Sequence, residues 1–519
     1  MGRQDDKAEI ELKLAVPTDA LAKLARDPRL KALVTGAGTR KHLRTTYFDT
    51  PDRRLLTAEL ALRVRRDGQR RIQTLKTAGH PTLGLLARGE WEREIVGENP
   101  VLDDAWLAEI GDKEARKLLA KSKVRARLAP LFSTDFRRRS WRIRRAGSVI
   151  ELAIDKGTIV SPDGQSPISE VELELKSGDP GELYGLAREI VDIVPAVVET
   201  RSKAERGYAM SLPARGAVRA VSVGIGKEAT VADTFREIGR ACLAHARANE
   251  SLVRSKPSVE GVHQLRVALR RMRSALAAFR DVLPEPERRR KAEALRWIAS
   301  SCGAARDWDV FRNQLLKPLS RHLEDEPGLA RVTRAADAAR RRAYREVQAM
   351  LETPRLTHAL LDVEAWWEQG SWAPAMGEWR EAPVREFARV VMRKLHRNVN
   401  RLGKDVAGLP ELELHELRIR SKKLRYAAEF FRGAFPKKPA TTYLAALADV
   451  QEHLGALNDA VVAKSLLAAL GRDSGGLPPE LLARADGIVT GWIAARVRDD
   501  LEHLPKVWQR FAEQRPFWK

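Results

Sequence analysis

The sequence predicts an α+β protein, with an N-terminal closed antiparallel β-barrel and covering helices, followed by an all-α domain of two pseudo-symmetric helical bundles. Three observations predict this architecture. Segments in which charged and apolar residues alternate recur up to about residue 177. From about residue 227 the pattern changes to long segments rich in Ala, Leu and Arg with helical spacing. One basic stretch of the helical half occurs twice, which indicates internal duplication.

The alternating segments are expected to be strands with one apolar face and one charged face. In residues 8–14, Glu9, Glu11 and Lys13 take every second position, between Ile and Leu residues. Similar alternation surrounds Leu62–Arg65, Leu75–Lys76, Glu90–Glu94, Arg138–Arg144, Glu151–Asp155 and Glu170–Leu175. An exposed sheet could carry such charges on its outer face. Because acids and bases both recur over six or more strands, a closed barrel with a polar interior explains the pattern more economically.

The apolar outer face of such a barrel requires covering helices, for which Thr18–Leu33, Val101–Leu119 and Gly181–Ile193 are candidates. The charges inside it suggest a chemistry. Clustered Glu residues offer the hard oxygen ligands that Mg²⁺ and Mn²⁺ prefer. Clustered Lys and Arg residues complement phosphate oxygens, and Arg often does so with two hydrogen bonds. Together they describe a site for a metal–polyphosphate chelate.

The net charge of the 519-residue chain is +23. Residues 1–225 contribute +9 and residues 226–519 contribute +14, so both halves favour a polyanionic partner such as nucleic acid, polyphosphate or a nucleotide. Cys242 and Cys302 lie in apolar helical contexts and are expected to be reduced core residues. The N-terminus lacks an apolar signal region and no run of 18 apolar residues occurs, which predicts a cytoplasmic protein.

Several motifs of the first half resemble the CYTH family, the triphosphate tunnel metalloenzymes. The ExExK pattern of Glu9, Glu11 and Lys13 is weak alone, but further motifs follow in the family's order: YFDTP (47–51), LRVR (62–65), LKTAG (75–79), EVELEL (170–175) and SKAERGY (202–208). The resemblance covers residues 1–210. It implies divalent metal binding, by Mg²⁺ or Mn²⁺, at Glu9, Glu11, Asp155, Glu170 and Glu172. It implies triphosphate binding at Lys13, Arg63, Arg65, Lys76, Arg138 and Lys203.

Residues 211–226 are rich in Gly and small residues without a helical stripe, and we expect them to link two domains. The second, residues 227–519, contains the repeated stretch. Val262–Leu276 matches Leu414–Ala428 at a separation of 152 positions, and the same separation relates Asp307 to Asp459. The duplication predicts two bundles, at about 227–370 and 379–519, whose basic helices could lie side by side.

In each copy the basic residues fall within an arc of roughly 80° on a helix. They could be a solvated face, but their repetition favours an anion site. The patterns HxxRxxxRRxR and HxxRxxxKKxR resemble the CHAD domain, a helical domain associated with polyphosphate. The resemblance implies polyphosphate binding by His263, Arg266, Arg270, Arg273, His415, Arg418, Lys422 and Arg425. The two histidines could equally be core residues, and Asp307 and Asp459 are expected to position basic side chains or to cap helices.

These patterns predict a metal-dependent inorganic triphosphatase similar to bacterial CYTH–CHAD enzymes, acting on triphosphate and polyphosphate, which could associate with polyphosphate granules. Thiamine triphosphate or a nucleoside triphosphate is an alternative substrate, and cyclase chemistry also occurs in the family. A non-catalytic polyphosphate scaffold would gain nothing from inward carboxylates. Nucleic-acid binding is disfavoured because aromatic residues are only 6 % of the chain and do not interleave with the basic stripes.

Overall fold

The computed structural model describes residues 9–34, 36–77, 80–82, 85–213, 216–226, 228–473 and 479–519. The chain divides into two compact units. The first contains residues 1–216 and 352–369, and the second contains residues 217–351 and 370–519. Cys242 and Cys302 are buried free thiols, as expected. Within the described residues, no helix has the length and apolar character needed to cross a lipid bilayer.

Eleven strands are found in the described residues of the first unit, all in one antiparallel sheet. They are β1 (Glu9–Ala15), β2 (Thr39–Asp49), β3 (Leu60–Asp67), β4 (Arg70–Thr77), β5 (His80–Thr82), β6 (Leu85–Arg88), β7 (Glu90–Glu94), β8 (Ala129–Arg145), β9 (Ser148–Ser161), β10 (Gly164–Ser177) and β11 (Val197–Val198). The strand order is β5-β6-β1-β10-β9-β8-β2-β3-β4-β7, and β11 pairs with β1.

The helices carry labels in chain order. They are α1 (Ala20–Leu24), α2 (Pro28–Leu33), α3 (Arg54–Thr57), α4 (Asp104–Glu109), α5 (Lys113–Leu119), α6 (Ser122–Arg125), α7 (Gly181–Ile193), α8 (Lys203–Met210), α9 (Val231–Ser255), α10 (Val259–Ala278), α11 (Glu285–Ser301), α12 (Gly303–Val310), α13 (Lys317–His322), α14 (Pro327–Leu351), α15 (Pro354–Gln369), α16 (Val384–Gly403), α17 (Glu411–Phe431), α18 (Lys437–Asp473) and α19 (Pro479–Ala512). A π-helical segment, Phe311–Leu316, separates α12 from α13.

The expectation of a closed barrel is wrong, because the described strands form an open path that begins at β5 and ends at β7. The end strand β7 follows β6 directly along the chain, since only Gly89 separates the two strands. Each nevertheless pairs with a different strand, β6 with β1 and β7 with β4, over four and five residue pairs. Both edges of β6 are occupied, by β5 and β1, whereas β7 pairs with β4 and ends the path, so the described sheet does not close.

Helices cover the outer face of this sheet, as the apolar strand faces require. Trp106 of α4 and Leu119 of α5 pack with Leu62 and Leu75 of β3 and β4 in one buried cluster. The expected helix Thr18–Leu33 is divided into α1 and α2, and the expected helix Val101–Leu119 into α4 and α5. Asp27, Asp103 and Asp112 cap the starts of α2, α4 and α5, which explains where these helices begin.

Helix α8 packs against the inner face of the sheet. Its Ala204 and Tyr208 join Tyr47, Phe132 and Phe136 in a second buried cluster. Gly207 allows this approach, because a Cβ atom there would lie 2.1 Å from a ring carbon of Phe132. A capping box between Ser202 and Glu205 begins the helix and presents Lys203 in its first turn.

The second unit is helical in the described residues. The helices α10 and α17, which carry the duplicated stretch, pack against each other. They contribute Leu265, Leu269, Leu417 and Leu424 to the buried core, so that the basic residues lie beside the apolar stripe. This confirms the side-by-side arrangement of the basic helices, whereas the pseudo-symmetry of two whole bundles stays a prediction.

Candidate functional site

A cavity of about 490 Å³ opens on the concave face of the sheet. The two-residue period of a strand directs Glu9, Glu11 and Lys13 of β1 to this face together. Its charged lining residues are Glu9, Glu11, Lys13, Lys41, Arg63, Arg65, Asp67, Lys76, Glu90, Glu92, Arg138, Glu151, Glu172, Glu174, Lys176, Lys203 and Glu205. Eight of these are basic and nine are acidic.

Three carboxylates converge beside this cavity and form the acidic triad Asp155, Glu170 and Glu172. Asp155 of β9 lies directly opposite Glu170 of β10 in the strand register, and Glu172 follows two residues later on the same face. Each offers one oxygen atom, and these atoms lie within 4.8 Å of one another. Asp155 and Glu170 are buried, with 0 % and 1 % of their surfaces exposed. Buried like charges at this distance need compensating cations.

Lys203 and Arg138 supply that compensation. The Lys203 Nζ atom lies 2.7 Å from Asp155 Oδ2 and 2.8 Å from Glu172 Oε1, and it also contacts Glu170. Arg138 donates two parallel hydrogen bonds to Asp155, of 2.7 and 2.6 Å, and contacts Glu172. The triad is therefore clamped by one ammonium and one bidentate guanidinium.

These contacts determine the charge states of the site. Burial by itself would raise the pKa of Glu172, but the charges of Lys203, Arg138 and Lys13 outweigh it and hold the pKa well below its usual range. Burial would likewise lower the pKa of Lys203, yet Asp155, Glu170 and Glu172 raise it far above the usual value. Glu172 is thus a carboxylate and Lys203 an ammonium throughout the physiological range of pH.

A second group of charges lies at β3, β4 and β7. The Lys76 ammonium lies 2.6 Å from a Glu9 oxygen and 2.9 Å from a Glu90 oxygen. Arg63 lies 3.4 Å from Glu90. Burial, with the neighbouring charges of Arg63 and Arg138, lowers the pKa of Arg65 to about 10. Arg65 is therefore a desolvated cation at neutral pH. An anion bound beside it would reduce the repulsion between Arg65 and its neighbours Arg63 and Arg138.

The structure brings every residue predicted for the first half to this cavity or its wall. The five predicted metal ligands do not all meet at one place, however. Asp155, Glu170 and Glu172 meet in the triad, whereas Glu9 contacts Lys76 and Glu11 lies 3.4 Å from the Lys13 ammonium. Their roles in binding or catalysis stay predictions.

Sequence reasoning did not select three groups that the structure places here. Glu90 and Glu92 line the cavity from β7, and the Glu-x-Glu-x-Glu alternation around Trp91 was the signal for them. Arg206 donates a 2.8 Å hydrogen bond to Glu170. Tyr47 lines the cavity, and although burial would raise its pKa, the charges of Arg63 and Arg65 lower it. No spacing rule links Arg206 or Tyr47 to the strands that they face.

The duplicated basic residues form a second charged group, the helical cation cluster, defined by Arg266, Arg270 and Arg273 of α10 and Arg418, Lys422 and Arg425 of α17. Burial, together with the charges of Arg418 and Arg270, lowers the pKa of Lys422 to about 7. Burial also lowers the pKa values of Arg266, Arg273 and Arg418, and Arg270 adds to each shift. Arg270 thus electrostatically couples the two copies.

Other members of the predicted set differ between the copies. Arg425 donates hydrogen bonds to Glu429 (2.8 Å) and Gln451 (3.1 Å). For the corresponding Arg273, the neighbouring charges in the described structure are those of Arg296 and Arg270. His263 is half-buried, and its pKa is lowered by burial and by Arg306, while His415 is exposed. Their roles therefore need not be equivalent.

Asp307 and Asp459, which have the same 152-residue separation as the duplicated basic stretch, lie at the helical cation cluster. Burial raises the pKa of Asp307, against the opposing charge of Arg266, and the charge of Asp459 raises it further. Asp459 acts electrostatically on Arg418 and Lys422. Each aspartate therefore lies near the basic residues of its own copy, and the two are near enough to influence each other. That they position basic side chains stays a prediction.

The model of the CYTH domain matches residues 7–208, and the model of the CHAD domain matches residues 237–468. The chain is a CYTH domain followed by a CHAD domain. Residues of the acidic triad and its cations all lie in the CYTH domain, and those of the helical cation cluster all lie in the CHAD domain.

Two relatives illustrate the match. An inorganic triphosphatase of Haemophilus influenzae is 35 % identical over 201 residues, which is 38 % of this chain and 54 % of that protein. The chain thus matches about half the length of that relative. The crystal structure of the CHAD domain from the plant Ricinus communis is 29 % identical with a TM-score of 0.51, and covers 58 % of this chain and 98 % of that one.

The acidic triad fits a divalent metal, as the CYTH family implies. Three carboxylate oxygens within 4.8 Å are the hard ligands that Mg²⁺, Mn²⁺ or Ca²⁺ accept. Lys203 and Arg138 occupy the same oxygen atoms, so a metal ion would compete with them. A site whose cations can be exchanged for a metal keeps its charge balanced in both states.

Proposed function

We propose that the CYTH domain hydrolyses the phosphoanhydride bond of inorganic triphosphate with the help of Mg²⁺ or Mn²⁺. The observation that carries this proposal is the triad of Asp155, Glu170 and Glu172, which lies beside a cavity lined by basic side chains and reaches it through Glu172. The lining has about as many acids as bases. A highly charged anion gains little net attraction from such a wall unless it arrives with compensating cations, which favours a metal chelate as the substrate.

In this proposal Asp155, Glu170 and Glu172 hold the metal, with Glu9 and Glu11 as further ligands. A bound divalent ion would act as a Lewis acid on the phosphoryl oxygens and lower the pKa of a bound water. Glu172 needs no deprotonation step before it binds a metal, because the charges of Lys203 and Arg138 keep it ionised. The protein's part is to hold these oxygens in place.

Lys13, Arg63, Arg65, Lys76, Arg138 and Lys203 would bind and orient the triphosphate oxygens. Positioning and charge stabilisation account for most of the catalysis of phosphoryl transfer, because negative charge spreads over the transferred group. Arg63 and Arg65 follow one another on the concave face of β3, and Arg138 and Lys203 lie at the triad. Bases therefore flank the metal ligands on more than one side, as a chain of three phosphates requires.

We also propose that the CHAD domain binds inorganic polyphosphate at the helical cation cluster. Burial and neighbouring positive charges lower the pKa values of Arg266, Arg418 and Lys422, and a bound polyanion would offset that cost of holding them charged. We take residues 1–210 as the catalytic domain, 211–226 as a linker and 227–519 as a duplicated binding domain. Its two halves would be residues 227–370 and 379–519.

The test is phosphate release by the full chain from inorganic triphosphate, ATP, thiamine triphosphate and long-chain polyphosphate, each with Mg²⁺, Mn²⁺ or excess EDTA. We expect the highest kcat/KM for inorganic triphosphate and loss of release in EDTA. Preference for thiamine triphosphate or ATP would reassign the substrate. Polyphosphate binding without release from any substrate would make the protein a scaffold.

A further inference from the structure

The outer face of β2, β8 and β9 carries a row of basic residues that the proposed function does not use. His42 pairs with Arg137, and Arg137 pairs with Lys156, so three basic side chains lie directly opposite one another on neighbouring strands. Arg40 and Arg139 form the next pair on the same face. Strands lie about 4.8 Å apart, and like charges directly opposite each other destabilise a sheet. We call these five residues the outer cationic face.

This face borders a shallow depression of about 410 Å³. The described residues that line the depression include no carboxylate. The nearby Asp135 accepts hydrogen bonds from His42 (2.6 Å) and Arg44 (2.9 Å). In the described part of the chain, Arg40, Arg137 and Lys156 make no ion pair, and all three are exposed. Asp135 is therefore the carboxylate that neutralises part of the outer cationic face, which keeps a net positive charge.

Part of this face is held rigidly. The Arg139 guanidinium stacks on the ring of Trp141 at 4.5 Å, and its Nη2 atom donates a 3.1 Å hydrogen bond to the Ala37 carbonyl. Arg138, between Arg137 and Arg139, lies on the opposite face of the strand and lines the catalytic cavity, and it also borders the depression. The three consecutive arginines of β8 thus serve two faces, and the outer two have no part in the triad.

We propose that the outer cationic face of the CYTH domain binds linear inorganic polyphosphate, outside the catalytic cavity. The proposal rests on the proposed function for its choice of polyanion. A row of cations across three strands suits a linear chain of phosphates, to which Arg donates two hydrogen bonds at once. Trp141, the aromatic residue under this face, is buried beneath Arg139, so it offers no free ring for stacking nucleic-acid bases.

The test uses the full chain in which Arg270→Gln and Arg418→Gln weaken the helical cation cluster. Into this background, Arg137→Gln with Lys156→Gln is introduced, and binding of long-chain polyphosphate is titrated over a range of salt concentrations. The matched control is Lys113→Gln with Lys117→Gln, which removes two exposed charges from α5. We expect the outer variant to bind more weakly than the control. The slope of log K against log salt should fall by roughly 1.5, because each phosphate contact contributes about 0.7–0.9 to it.

Triphosphate turnover should be the same in all of these proteins, since none of the altered residues lines the catalytic cavity. Equal affinity of the outer variant and the control for polyphosphate would overturn the proposal. So would a matching loss of triphosphate turnover, which would show that the variant disturbs the cavity. A larger loss of affinity for a single-stranded oligonucleotide than for polyphosphate would instead assign the face to nucleic acid. If the unmodified chain hydrolyses no triphosphate, the proposed function fails while this binding comparison still decides the outer face.

Discussion

Asp155, Glu170 and Glu172 repel one another across less than 5 Å, and Lys203 is the side chain that contacts all three. Its ammonium balances the triad in the absence of a metal ion. A divalent cation placed on the same oxygen atoms would have to displace it. Lys203 is therefore expected both to weaken metal binding and to become available to a phosphate group once it is displaced.

Lys203→Gln separates these two effects. We expect the affinity for Mn²⁺ in the absence of substrate to rise, because the competing ammonium is gone, and triphosphate turnover to fall. Calorimetric titration with Mn²⁺ and a phosphate-release assay measure the two. Lys176→Gln is the control, since Lys176 lines the same cavity but pairs with Glu174 and Glu151. Weaker Mn²⁺ binding by Lys203→Gln would contradict the expected competition between the Lys203 ammonium and the metal ion.

Lys422 gives a prediction about pH. Its pKa of about 7 in the free protein results from burial and the charges of Arg418, Arg270 and Arg425, opposed by Asp459. A bound polyanion would raise this pKa, so the complex holds more protons than the free protein. Affinity for polyphosphate should then be greatest below pH 7 and decrease above it, by up to about tenfold per pH unit for one proton.

The control for this prediction is Lys422→Arg. Arginine keeps its charge over the whole range, so the decrease in affinity between pH 7 and pH 9 should become much smaller. Fluorescence titration of labelled polyphosphate at constant ionic strength measures both proteins. An identical pH profile for the two proteins would show that another group is responsible.

Asp49 of the motif YFDTP has a structural role, because it joins the start of α3 to α8. The Asp49 carboxylate accepts hydrogen bonds from the backbone amides of Thr50 (2.7 Å), Leu55 (2.9 Å) and Leu56 (3.0 Å), at the start of α3. It also accepts a 2.9 Å hydrogen bond from the Tyr208 hydroxyl. Two motifs of the sequence therefore meet at a buried structural contact, which anchors the helix that carries Lys203.

Tyr208→Phe removes that contact and should destabilise the CYTH domain by about 1–3 kcal/mol, because a buried carboxylate loses a hydrogen bond. Urea unfolding measures the change. Triphosphate turnover under native conditions should be largely unchanged, since the hydroxyl is bound to Asp49. Tyr344→Phe removes the same kind of contact, a 2.7 Å hydrogen bond to Asp309, from the second unit. Loss of turnover by Tyr208→Phe without loss of stability would place the hydroxyl in the reaction.

The strand faces could be predicted from sequence because a two-residue period decides which side chains share a side of the sheet. The convergence of Asp155 and Glu170 depends on the register between β9 and β10, which residue spacing does not encode. That the sheet is open could not be predicted from the sequence either, since it depends on which strands pair with the short strands β6 and β7. Helix α18 continues through Gly455, because a single glycine costs only about 1 kcal/mol in a helix.

The two proposed activities lie in different units of the chain, so substitutions in one unit should leave the activity of the other unchanged. Arg270→Gln with Arg418→Gln should weaken long-chain polyphosphate binding and leave kcat/KM for triphosphate unchanged. Lys437→Gln with Lys438→Gln is the control, because these exposed residues begin α18, about 30 Å along that helix from Asp459. Equal loss of affinity in both pairs would mean that general charge, not the cluster, binds the polyanion.

The proposed role of the acidic triad is to make triphosphate hydrolysis metal-dependent. Its most direct test is phosphate release from inorganic triphosphate by the unmodified chain, Glu172→Gln and Glu174→Gln, over a titration of Mg²⁺ and Mn²⁺. Glu174 is the matched control, because it lines the same cavity two residues along β10 but lies outside the triad. We predict a loss of at least about 100-fold for Glu172→Gln and a much smaller effect for Glu174→Gln. Full metal-dependent turnover by Glu172→Gln would contradict the assignment of the triad.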